Sequence, residues 1–127
     1  MKRLLLAFFL LTATGTFTFI QRAAAQTTVT LATFTAKVNQ LDAEIAASNM
    51  TAAAATWGDI HTMMVSVLKT SKESIHHATS PADKTAHETI LQNQQTIYFV
   101  IWDLKNNLAT NRAALHTKLG EFGATIY

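Results

Sequence analysis

Cysteine is absent from the 127-residue chain, which also has only one proline and four glycines. Without cysteine, the chain cannot be a disulfide scaffold, bind zinc through thiolates, attach a c-type haem or carry a lipid on an N-terminal cysteine. The scarcity of proline and glycine, and the lack of Asn-Gly and Asp-Gly pairs, argue against a fold built from short hairpins. The length corresponds to one domain at most.

A strong excess of either charge is also lacking. The chain has ten basic and eight acidic residues, for a net charge of +2. Three of the basic residues, Lys2, Arg3 and Arg22, lie in the first 25 positions, so residues 26–127 carry seven basic and eight acidic residues and a net charge of −1. No cluster of Lys and Arg remains in this part, which predicts that nucleic acid is not a partner.

The N-terminal 25 residues have the pattern of a secretory signal peptide. Lys2 and Arg3 give a positive start, Leu4–Leu11 is an unbroken apolar run, and Ala23–Ala25 supplies small residues for a signal peptidase. We therefore expect residues 1–25 to be cleaved on export. The alternative is a retained membrane anchor.

Polar and small residues, including Thr12, Thr14 and Gly15, interrupt the apolar stretch after its first part. A spanning helix needs about 20 predominantly apolar residues, so cleavage is the favoured interpretation. Residues 26–127 are then a single exported domain with no membrane span. Its location would be periplasmic if the source is a diderm bacterium and extracellular otherwise.

Apolar residues in this domain recur at spacings of three and four, which indicates amphipathic helices. The first seam consists of Leu31, Phe34, Val38, Leu41 and Ile45. Asp42 lies off this seam and is expected to face solvent. Ser48 and Asn49 are expected to end the segment.

A second helical segment is predicted from about Thr51 to His77, with Gly58 packed closely beside Trp57. In the third segment Ser80 suits the N-cap, Pro81 the first helical position and Asp83 the first turn. The prediction is an all-α fold, a small up-down antiparallel bundle of three long helices, or four if the third segment breaks near Thr110.

Aromatic residues of the second and third segments are expected to lie at matching levels. With a turn at residues 79–80, facing positions have residue numbers that sum to about 159, so His61 faces Tyr98. The candidate ligand-binding residues at this level are Trp57, His61, Met64, Tyr98 and Trp102. The favoured interpretation is an aromatic core layer, and the alternative is a pocket for a flat apolar ligand that His61 orients.

A b-type haem is disfavoured, because Met63 and Met64 share a helix with His61 and cannot easily provide a ligand from the opposite side. No cofactor is predicted. The residues around the second turn, His76, His77, Asp83 and His87, are candidate metal ligands by type. The simpler explanation for them is charge complementarity with the helix ends.

Sequence patterns of known catalytic sites are lacking, and no enzyme activity is predicted. The amide side chains are expected to form a solvated face, with a polar interaction surface as the alternative; they are Gln92, Asn93, Gln94, Gln95, Asn106, Asn107 and Asn111. The sequence thus predicts a small exported helical-bundle protein with a binding or structural role, whose partner is an unknown protein or small ligand. The alternative is a periplasmic carrier of a small ligand or metal that uses the aromatic level or the turn histidines.

Overall fold

The computed structural model describes residues 28–127, which form four α-helices. They are α1 (Leu31–Ala46), α2 (Met50–His76), α3 (Pro81–Leu104) and α4 (Arg112–Gly123), with a short 3-10 turn at Lys105–Asn107. The all-α prediction is confirmed, and the break near Thr110 gives a fourth helix. The predicted signal peptide lies outside the described residues.

The start of α3 follows the local sequence signal. Ser80 is extended, its hydroxyl accepts a hydrogen bond from the Asp83 backbone N–H at 3.0 Å, and Pro81 occupies the first turn. At the start of α1, Thr30 and Thr33 cap each other reciprocally, at 3.1 Å in both directions. These contacts satisfy backbone donors that have no partner within a helix.

The turn between α1 and α2 needs one residue with left-handed backbone geometry. Ser48 takes this position with φ of 59°, and Asn49 then caps α2 by accepting a hydrogen bond from the Ala52 backbone N–H at 3.3 Å. Ser48 and Asn49 were expected to end the first segment, and α1 ends just before them at Ala46.

Each helix packs against two others, so that α1 and α3 each contact α2 and α4. Short connections between consecutive helices make this an up-down bundle. The predicted α1 seam is buried except for Leu31, which remains 50% exposed at the end of the bundle. The fully or nearly fully buried apolar residues are Phe34, Val38, Leu41, Ile45, Ala53, Ile60, Met64, Val67, Ile101, Leu115, Leu119 and Phe122.

An ion pair links α1 to α4, and it corrects the expectation that Asp42 simply faces solvent. The Arg112 guanidinium donates Nε–H to one carboxylate oxygen of Asp42 at 2.8 Å and Nη2–H to the other at 3.0 Å. This bidentate contact holds the pKa of Asp42 below its ordinary value, first through the hydrogen bond and then through the positive charge.

Gln94 corrects the prediction of a fully solvated amide face, because its side chain is completely buried. It lies seven residues before Ile101 and so falls on the same side of α3. Its Nε2 donates to the backbone carbonyl of Thr125 at 3.4 Å. The chain after α4 therefore folds back over α3, which no helical pattern in the sequence predicts.

The glycines of the bundle differ in their surroundings. Gly58 was expected to pack closely beside Trp57, and this expectation is wrong, because a Cβ built on Gly58 would meet no atom within 4 Å. Gly123 is the closely packed one: an added Cβ would lie 3.2 Å from Cδ2 of Phe34. The helix α4 ends at this glycine.

The hairpin of α2 and α3 is longer than the other two helices. These helices have 27 and 24 residues, whereas α1 and α4 have 16 and 12. At the end of the bundle where α1 begins and α4 ends, the short segments before α1 and after α4 pack against the hairpin. Within residues 28–127, no helix has the length and apolar character needed to cross a membrane.

Candidate functional site

His61 on α2 and Tyr98 on α3 face each other and join the two helices. Nε2 of His61 and the Tyr98 hydroxyl share a hydrogen bond of 2.9 Å. The two residue numbers sum to 159, so the facing level expected from the turn matches the structure at this point. The pair fixes the orientation of both rings at the seam between the helices.

The His61 ring lies at the centre of an aromatic cluster. Its centroid is 6.3 Å from the Trp57 ring, with which it stacks, 5.2 Å from the Trp102 ring and 6.1 Å from the Tyr98 ring. The rings of Trp57 and Trp102, which were expected to lie level with each other, both pack against the His61 ring. The sequence-predicted candidates other than Met64 are therefore brought together.

Phe99 extends the cluster outward. Its ring packs edge-on against Tyr98 at 5.9 Å, while Tyr98 stacks on Trp102 at 6.0 Å. We call the surface formed by Trp57, His61, Tyr98, Phe99 and Trp102 the aromatic face. The sequence analysis missed Phe99, although the signal was present: residues 97–102 are six consecutive apolar residues, and a helix cannot turn all of them toward one core.

The aromatic face is exposed, which corrects the interpretation of these residues as a core layer. Phe99 is 65% and Trp102 is 41% exposed, and the other three side chains are half-buried. Met64 is fully buried with Ile60 and Ile101, so the core at this level is aliphatic. The error arose because levels along a helix pair say nothing about whether a side chain points inward or lies on the outer flank.

A positive charge borders the face. Nζ of Lys105 lies 4.3 Å from the centroid of the Trp102 ring, in the geometry of a cation–π contact. The 3-10 turn after α3 places this lysine. The aromatic face therefore has an apolar centre, a hydrogen-bonded polar pair within it and a cationic edge.

The residues around the second turn make a different set of contacts from those expected of a metal site. Oδ1 of Asp83 lies 3.4 Å from Nε2 of His87, and Oδ2 accepts a hydrogen bond from the Thr79 backbone N–H at 3.1 Å. Asp83 and His87 meet across one helical turn, at a spacing of four that the sequence analysis did not use. His76 and His77 are exposed at the end of α2.

In the part of the chain that the structure describes, no three or more His, Cys, Asp or Glu side chains are grouped so that they could hold a metal ion. His87 is engaged on its other side, where Nδ1 and the Tyr127 hydroxyl share a contact of 3.3 Å and the two rings stack. These contacts link the start of α3 to the segment after α4. Metal binding at this turn stays a prediction, and the described residues there are not grouped as a set of metal ligands.

No protein-family model, no curated protein and no solved structure matches the chain.

Proposed function

We propose that this chain is an exported binding protein that recognises a protein partner through the aromatic face. The observation that carries the proposal is the exposure of Phe99 and Trp102 within one continuous cluster of rings. Contiguous exposed apolar surface on a small protein is typical of interaction sites. Aromatic residues are also enriched among the residues that dominate binding energies.

Burial of the exposed part of the Phe99 ring alone would contribute a large free energy. A fully exposed aromatic residue offers roughly 200 Å² for burial, and burial contributes about 25 cal/mol per Å². Covering the 65% of Phe99 that is exposed would therefore contribute about 3 kcal/mol before the costs of association.

The arrangement of the rings lowers the cost of ordering the surface on binding. Trp102 is held between Tyr98 and Lys105, and the Tyr98 hydroxyl already has His61 as its hydrogen-bond partner. A partner can thus cover the face without immobilising a flexible side chain or leaving this polar pair unsatisfied. Both features favour recognition by an extended apolar surface.

A protein partner is favoured over a flat small ligand because of how the rings are packed. A ligand held between the two tryptophans would need the space that the His61 ring occupies, in contact with both of them. Phe99 is the most exposed residue of the cluster, at 65%. The exposed rings of Phe99 and Trp102 are suited to insertion into a partner's groove.

Export is the second part of the proposal, and it rests on the positive start, the apolar run Leu4–Leu11 and the small residues Ala23–Ala25. We expect the exported protein to begin at Gln26. N-terminal sequencing of the protein recovered outside the cytoplasm measures this directly. Recovery of the chain with Met1 intact in the membrane fraction would show that the leader is retained as an anchor.

The binding role can be tested with a matched pair of substitutions on α3. Phe99→Ser removes the most exposed ring, and Val100→Ser removes an apolar side chain that is 40% exposed but lies roughly 200° around the helix from Trp102. The immobilised proteins are exposed to the exported proteins of the source organism, and the affinity of any retained protein is measured by calorimetry.

We expect wild type and Val100→Ser to bind the same protein with similar affinity, and Phe99→Ser to bind it at least about tenfold more weakly. Equal binding by both variants would contradict the proposal. So would the retention of no exported protein by the wild type.

A further inference from the structure

A cavity of about 180 Å³ lies against α2, about one to three helical turns past His61. It lies between α2, the segment before α1 and the segment after α4, and it is partly open to solvent. At this level α2 continues beyond the ends of α1 and α4, and the short segments contribute Thr28, Val29, Ile126 and Tyr127 to the lining. Neither the aromatic face nor the turn histidines contribute to it.

The lining combines aliphatic and hydroxyl side chains and contains no Lys, Arg, His, Asp or Glu side chain. Val29, Val67 and Ile126 supply the aliphatic part, and all three also pack against the core. The hydroxyl part comes mainly from α2, where Ser71 is buried, Ser66 is half-buried and Thr70 is exposed. The α2 hydroxyl residues that line the cavity are Ser66, Thr70 and Ser71.

The segment after α4 forms a fixed roof over the cavity. Gln94 donates to the Thr125 carbonyl at 3.4 Å, and the Tyr127 hydroxyl contacts Nδ1 of His87 at 3.3 Å. Oε1 of Gln94 is buried and has no hydrogen-bond partner among residues 28–127. Residues at the same level of α2 and α3 have numbers that sum to about 159, so Gln94 lies level with the residue that precedes Ser66. An unpaired acceptor is therefore buried near the level of the cavity.

The cavity shares part of its lining with a neighbouring groove. Thr28, Val29, Ser66 and Thr70 line both the cavity and a larger groove of about 650 Å³ between α1 and α2. The cavity therefore adjoins the groove along these four residues. The groove, unlike the cavity, has charged side chains such as those of Lys69 and Glu73 at its edge.

We infer that this cavity is a binding site for a small neutral molecule that carries a hydroxyl group on an apolar body, of the size of phenol or cyclohexanol. The volume sets the size, because an enclosed space of about 150 Å³ accommodates benzene. The hydroxyls of α2 both donate and accept hydrogen bonds, so they suit a ligand hydroxyl. No Lys, Arg, His, Asp or Glu side chain lines the cavity, so an ionic ligand would lose its hydration without a charged side chain to compensate.

The test uses phenol, toluene and benzoate with the isotope-labelled exported protein, followed by amide chemical shifts in NMR spectra. Phenol should shift the amides of Ser66, Val67, Thr70 and Ile126 saturably. Toluene, which has no hydroxyl, should bind at least about fivefold more weakly, and benzoate at pH 7 should leave these amides unshifted.

Ser66→Leu fills the cavity and should weaken phenol binding at least tenfold. Ser74→Leu makes the same chemical change on α2 outside the lining and should bind phenol as wild type does. Thr70→Ile provides a second filled cavity if Ser66→Leu does not fold, which its amide spectrum reports. Phenol shifts that persist in a folded filled variant, or that spread instead over the aromatic face, would overturn the inference. So would a lack of saturable shifts, which would mean that the cavity holds water only.

Discussion

Replacing Gly58 with alanine should stabilise the protein, although glycine at this position lies beside a tryptophan. Gly58 is in the interior of α2, is exposed and has no positive φ. Glycine in a helix interior costs about 0.5–1 kcal/mol relative to alanine, because the unfolded chain has more freedom to lose. Since an added Cβ meets no atom within 4 Å, Gly58→Ala should recover this amount in full.

The same substitution at Gly123 should have the opposite sign. The added Cβ would lie 3.2 Å from Cδ2 of Phe34 and 3.5 Å from Cδ1 of Leu31. The Phe34 ring is buried and packs on Phe122 at 5.7 Å, so it has little room to move away. Crowding of a packed core costs about 1–3 kcal/mol, and we expect Gly123→Ala to lose about 1 kcal/mol net of the gain in helix propensity.

Urea unfolding of the two variants and wild type, followed by circular dichroism at 222 nm, measures both effects. In a thermal scan of a domain of this size, 1 kcal/mol corresponds to a shift of about 4–8 °C. The midpoints should fall in the order Gly123→Ala, wild type, Gly58→Ala. A loss of stability in Gly58→Ala would refute the reasoning, because it would mean that the surroundings of α2 are not open there.

Three further predictions concern the core and the link between α1 and α4. Leu41→Asp places a charge in the buried seam and should cost several kcal/mol in free energy of unfolding, whereas Ala36→Asp on the exposed side of α1 should change it by no more than about 0.5 kcal/mol; similar thermal midpoints would mean that the face of α1 is wrongly assigned. Met64→Ala should cost about 2–5 kcal/mol in urea unfolding because this side chain is fully buried, and a cost near zero would place it outside the core. A double-mutant cycle of Asp42→Asn and Arg112→Gln should show favourable coupling at pH 7 that fades as the pH falls below 3.8, the ordinary pKa of an aspartate. The coupling fades because the folded pKa of Asp42 is lowered and the coupling needs the ionised carboxylate. Coupling that does not change with pH would contradict the ion pair.

The helices could be predicted because their signals are local. The seam of α1 follows from apolar spacing, and the start of α3 follows from Ser80, Pro81 and Asp83. The level of His61 with Tyr98 followed from the position of one turn. These features depend on residues close in sequence, or on a single hairpin of known length.

The remaining features depend on contacts that spacing cannot reveal. Asp42 and Arg112 are 70 positions apart, and Gln94 is buried by a chain segment that has no helical pattern of its own. The exposure of Phe99 and Trp102 depends on which flank of the hairpin α1 and α4 leave uncovered. For this reason the aromatic residues could be brought to one level from the sequence, but not assigned to the surface.

The most direct test of the aromatic face as a recognition surface is photo-crosslinking in the source organism. Benzoyl-phenylalanine is placed at position 99, or at position 100, which is also exposed but lies about 100° around α3 from position 99. We predict one discrete adduct with another protein from position 99, lost when Trp102→Ala is added, and no such adduct from position 100. Equal adducts from the two positions, an adduct with a second copy of the chain only, or no adduct from position 99 would contradict the claim.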